Sequence, residues 1–152
     1  MPVQAVPAGF HTITPYLVVD DASKLIEFLQ AAFAAQARGI SKAPDGLIMH
    51  ATVRIGDSMV MLGNSRGPWL AKPACLYMYV PNVDEVYQRA MSAGAESLNA
   101  PRDEFYGDRI AGVKDPCGNL WWIGTHIEDV SEEEIRRRQE KLFGQQSAAA
   151  TS

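Results

Sequence analysis

Apolar and polar positions along the first half of the chain change period twice. Residues 13–19 are rich in β-branched and aromatic residues, which predicts a strand. From Ala22 onward the apolar residues recur as Ala22, Leu25, Ile26, Leu29, Ala32 and Phe33, the spacing of a helix with one apolar face. Asp20 and Asp21 stand where an N-cap is needed. Residues 48–55 then alternate, with Met49, Ala51, Val53 and Ile55 on one face and His50, Thr52 and Arg54 on the other. Gly56-Asp57 reads as a two-residue hairpin turn, with the return strand at residues 59–62.

The same order then begins again. Residues 75–80 predict a strand, and Asn82 and Glu85 form a capping box. Val83, Val86, Tyr87, Ala90 and Met91 make a second helical stripe, which Gly94 stops. Residues 109–114 predict a strand, residues 115–118 a turn, and residues 120–125 the return strand. A shift of 61 residues lays Val19 on Val80, Asp21 on Asn82, Leu25 on Val86, Ile55 on Pro116, Leu62 on Ile123 and Gly63 on Gly124. The predicted fold is therefore α+β, a duplicated βαβββ unit. Two such modules would form a cupped mixed sheet with helices outside, plus a C-terminal helix. Each helix covers one sheet face, burying Ile13, Leu17, Val19, Val53, Val60 and Leu62 in the first module, and leaves a concave face for a ligand.

The domain organisation follows: a lead-in at residues 1–10, and one domain at 11–131 built of modules 11–66 and 73–128. A helix at 131–144 is opened by the Ser131–Glu134 capping box, and residues 145–152 read as a disordered tail. Glu132, Glu133 and Glu134 each precede an arginine by four residues, the pattern of a solvated helix.

Composition narrows the function classes. With 47% hydrophobic and 21% charged residues over 152 positions, the chain is globular, and its net charge of −4 offers no basic stripe for nucleic acid. No apolar run is long enough to span a bilayer, and the first ten residues lack the basic start of a signal peptide. The expected location is cytoplasmic, with Cys75 and Cys117 as reduced thiols.

Five segments in order carry a family resemblance: residues 14–21, 49–51, 54–58, 106–109 (Tyr-Gly-Asp-Arg), and the run from Asp115-Pro116-Cys117-Gly118-Asn119 through Thr125-His126 to Glu128-Asp129-Val130. Together they cover about residues 11–131, and the chain resembles the vicinal oxygen chelate superfamily (glyoxalase, bleomycin resistance protein, dioxygenase), most closely its PhnB-like branch. The resemblance implies paired βαβββ modules and a homodimer. It also implies four ligand positions in metal-dependent members, on the first and last strands of each module, which fall here on Thr14, Met61, Cys75 and Trp122. These residue types do not suit a hard divalent ion, which wants imidazole and carboxylate. No metal or other cofactor is expected, with a divalent metal as the alternative.

Strand alternation from those positions fills the expected cup with Tyr16, His50, Thr52, Tyr77, Tyr79 and Arg109 besides the four. Aromatic rings, sulfur and a few polar groups suit a flat, partly apolar organic molecule. His50 is the candidate catalytic residue, a general base near neutral pH. Each candidate also has a plain structural role: the tyrosines and Trp122 as a second core, His50 as a bonded scaffold residue, Arg109 as the ion-pair partner of Asp108. Three readings stand, in order of preference: a metal-free small-molecule binder, a lyase- or isomerase-type enzyme centred on His50, and a ligandless dimeric scaffold.

Overall fold

The computed structural model describes residues 2–150. The first module runs β1 (Tyr16–Val19), α1 (Ala22–Phe33), β2 (Gln36–Lys42), β3 (Ile48–Ile55) and β4 (Ser58–Asn64). The second repeats it as β5 (Cys75–Tyr79), α2 (Val83–Ser92), β6 (Glu96–Asp103), β7 (Asp108–Lys114) and β8 (Leu120–His126), and α3 (Glu132–Ala150) closes the chain. Strand order is β1-β4-β3-β2 in one sheet and β5-β8-β7-β6 in the other, each with one parallel pair at the crossover made by its helix.

The helix starts follow the capping chemistry. Asp21 accepts from Lys24 N at 3.0 Å, Asn82 from Glu85 N at 3.2 Å, and Ser131 from Glu134 N at 3.2 Å. On α1, Leu25 and Leu29 are fully buried on the apolar stripe, so truncating either to alanine costs about 2–5 kcal/mol. Leu17, Val19, Val53, Val60 and Leu62 complete that core as expected. Ile13 does not: β1 begins at Tyr16, and Ile13 is 85% exposed ahead of it.

Two strands escape the hydrophobic pattern. Every residue of β2 is exposed, so no alternation marks it, and β6 contains Pro101 and an equally irregular burial pattern. Both are outer strands and both carry register shifts. The last helix continues to Ala150, beyond residue 144, through a stretch of glutamine and alanine with good helix propensity. No helix among the described residues is long and apolar enough to cross a membrane.

The two modules meet through their helical layers. Helices α1 and α2 pack on each other, Phe33 meets Trp121 at 5.0 Å between ring centroids, and a single core runs through both modules. The sheets themselves share no strand pairing and no extensive contact. One chain thus carries two separate four-stranded mixed sheets.

Candidate functional site

On the first sheet, strand alternation places Tyr16 of β1, His50 and Thr52 of β3, and Met59 and Met61 of β4 on the face away from α1. Tyr16 and Thr52 are both register partners of Met61, which brings the three side by side. The Tyr16 hydroxyl donates to Met49 O at 3.4 Å, so its oxygen accepts from His50 Nδ1 (3.4 Å), leaving His50 Nε2 to accept from Thr52 Oγ1 (3.3 Å). Both imidazole nitrogens are engaged in this chain. Phe10 from the lead-in, Arg38, Ile40 and Ser41 join His50, Thr52 and Met59 around a hollow of about 440 Å³. Trp69, in the connection between modules, stands against Tyr16 with centroids 6.2 Å apart.

On the second sheet the corresponding face carries Cys75, Tyr77 and Tyr79 of β5, Trp122 and His126 of β8, and Asp108, Ile110 and Gly112 of β7. Trp122 is opposite both Tyr77 and Gly112. Asp108 is 4% exposed and gathers three donors: Tyr79 OH at 2.9 Å, Tyr77 OH at 3.4 Å and His126 Nδ1 at 2.7 Å. His126 Nε2 reaches Asp129 at 2.8 Å. Its bonds first to Asp108 and then to Asp129 raise its pKa above the usual imidazole value. Burial and then the neighbouring tyrosines and Asp108 push the Tyr77 phenol up, and the Asp108 hydrogen bond does the same to Tyr79, so both stay protonated.

The structure therefore gathers Tyr16, His50, Thr52 and Met61 on one sheet and Cys75, Tyr77, Tyr79 and Trp122 on the other. Thr14 precedes β1, and its hydroxyl donates to His11 O at 3.4 Å. Arg109 stands apart from all of these. It lies on the helix side of β7, with Nε and Nη2 on Asp84 of α2 at 2.8 and 2.9 Å and Nη1 on Asp103 at 2.9 Å, and not paired with Asp108. The 61-residue shift fails on β7 and on β6 beside it, which stand 60 residues from β3 and β2. The β3–β4 hairpin closes through two residues, Ile55 pairing Ser58, whereas five separate Lys114 from Leu120. The register slips by one and every side chain of β7 changes face.

Asp108, Arg38 and Trp69 were not found from the sequence. Asp108 belongs to the Tyr-Gly-Asp-Arg segment, and the slip hid its orientation; Gly39 inside a strand was the available sign of a bulge beside Arg38.

The four positions at which metal-dependent relatives place ligands do not fit a metal. Thr14 is turned to His11, the Trp122 ring lies on Gly112, and Met61 and Cys75 belong to different sheets. Among the described residues no three His, Cys, Asp or Glu side chains converge as a metal site would require. Cys117, in the turn after β7, has its thiol pushed up to about 11 by burial and then by Asp115 and Asp21, which keeps it unreactive.

Two βαβββ modules with an open face on each sheet define the class of the protein, and comparison with known proteins agrees. Residues 9–123 match the Glyoxalase/Bleomycin resistance protein/Dioxygenase superfamily, and the chain belongs to that family. An uncharacterised protein of Mycobacterium bovis is 37% identical over 135 residues, covering 82% of this chain and 89% of its own. Among solved structures, TioX from Micromonospora sp. ML1 superposes with a TM-score of 0.68 at 24% identity, covering 77% of this chain and 99% of that one. The PhnB protein of Bacillus cereus gives 0.62 at 19% identity, covering 76% and 99%. At these identities the structural likeness speaks for the fold alone.

Proposed function

We propose that the protein binds a small aromatic or partly apolar molecule on the concave faces of its sheets, without a metal centre. The observation that carries this reading is the exposure of those faces. Tyr16, Tyr77 and Tyr79 are 42%, 46% and 66% exposed, although each has an aromatic ring that burial would favour. A side-chain-filled second core would have buried them. Glycines lie under the rings: Gly63 beneath Tyr16 and Gly124 beneath Tyr77, one repeat apart. The rings lie low against the backbone and leave room above.

A second copy of the chain is the partner this geometry favours. The strands β1 and β5 are sheet edges, and the two open faces cannot oppose each other within one chain because the helices hold the modules together. A cleft of about 780 Å³ lies between the β3–β4 hairpin and β5, with Ile13, Leu76 and Met78 on its walls. A homodimer that sets the first sheet of one protomer beside the second sheet of its partner would complete two cups. Catalysis by His50 has less support, because its two ring nitrogens are already spent on Tyr16 and Thr52.

The test is native mass spectrometry of protein purified without a tag. A dimer mass carrying an additional organic mass supports the reading. A monomer that takes up no aromatic probe contradicts it.

A further inference from the structure

We infer that Arg38 is the recognition residue of the hollow on the first sheet, and that this hollow takes an organic acid: a ring-sized apolar body with an anionic oxyacid head. The inference rests on the reading of the concave faces as ligand-holding, and adds the class of ligand. The hollow's volume of about 440 Å³ falls in the range of small-molecule sites. Phe10, Ile40 and Met59 give it an apolar wall, and Arg38 brings a guanidinium to its rim.

The guanidinium is available. Arg38 Nη2 donates to Gln36 Oε1 at 3.0 Å, and among the described residues Arg38, like Arg54, Arg89 and Arg136, has no carboxylate partner, whereas Arg66, Arg102, Arg109, Arg137 and Arg138 all carry ion pairs. A guanidinium has five N–H donors in a planar fork that matches a carboxylate, so most of Arg38's capacity is unspent. The nearby imidazole does not compete, since His50 is tied to Tyr16 and Thr52; Ser41 is the other donor on the wall.

The backbone puts Arg38 there by a bulge. Pairing between β2 and β3 passes from Ala37–Val53 to Gly39–Thr52, which leaves Arg38 as the extra residue. A bulge breaks strand alternation and re-aims the side chain it carries. The same irregularity recurs in the second module, where pairing passes from Ser97–Val113 to Asn99–Gly112 and the extra residue is Leu98. The duplication thus keeps the bulge in both sheets and arms only the first with a charge.

The experiment is a calorimetric titration of the full chain with 2-naphthoate and with its neutral isostere 2-naphthamide, repeated on Arg38→Gln. The acid is expected to bind at least about tenfold more tightly than the amide. In R38Q that preference disappears, the acid losing at least about tenfold in affinity. Arg38 is exposed on an outer strand, so the variant is expected to keep the wild-type circular dichroism and thermal midpoint. Salt provides a check without mutation: added salt should weaken the acid and leave the amide alone. Equal binding of acid and amide, or an acid preference that survives in R38Q, overturns the assignment of Arg38 and leaves the ligand-holding reading intact. If neither probe binds, both fail together.

Discussion

Trp122 rests on Gly112 and Tyr77 on Gly124 because a β-carbon at either glycine would collide with the ring above it. Gly112→Ala should therefore lift the indole and weaken binding of an aromatic ligand, read by titration, in a protein that still folds. Trp122→Ala should abolish that binding at a stability cost well below the roughly 3–5 kcal/mol of an emptied core; a cost of that size would make Trp122 core. Tyr16, His50, Thr52, Met61, Tyr77, Tyr79 and Trp122 were legible as face residues from alternation alone, since side-chain parity needs only a correct strand. His126 was placed on that face by the same alternation, but Asp108 and the pairing of the two were not legible, because that bond lies across two strands. That pair makes stability pH-dependent. The folded pKa of His126 is raised, chiefly by Asp108, so the stabilisation is complete below the unfolded value of about 6.5 and is lost as pH rises through the folded value. The thermal midpoint should fall across that window in the wild type, and His126→Gln should remove this component.

Among the elements, β7 shows how much hangs on one residue of loop. A repeat read without gaps puts Arg109 in the cup, and the longer turn before β8 puts it on α2 instead. Arg109→Ala is therefore expected to leave ligand binding unchanged and lower the thermal midpoint slightly, the behaviour of an exposed ion pair. That turn is itself a buried polar node. Asp115, 3% exposed, accepts from Trp121 Nε1 at 2.8 Å and Asn119 Nδ2 at 3.0 Å with one oxygen, and from the backbone of Cys117 and Asn119 with the other. Asn119 in turn accepts from Ala74 N, fixing the entry to β5. Asp115→Ala strands these donors in the core and should cost roughly 2–5 kcal/mol in denaturant unfolding. The turn was visible in the sequence, but its role was not: an Asp-Pro-Cys-Gly-Asn segment announces a bend without saying what the carboxylate holds. The outer strands β2 and β6 left even less trace, since an exposed, bulged strand has no alternation to read.

At the level of the whole molecule, the two-module order of elements was legible and their arrangement was not. The order of caps, stripes and turns repeats along the chain, but no local pattern says whether two sheets join within one chain or across two. Here the packing of α1 on α2 decides it, leaving an open face on each sheet, with β1 and β2 as the edges of one sheet and β5 and β6 as the edges of the other. Light scattering in dilute solution is therefore expected to give about twice the monomer mass. The central claim, a metal-free ligand site on those faces, is tested most directly by measuring metal content and native mass on one sample of untagged protein. The expected result is no stoichiometric transition metal and a dimer that retains a small organic mass. About one equivalent of metal per chain, at a site where Thr14, Met61, Cys75 and Trp122 offer no fitting donor set, would contradict it.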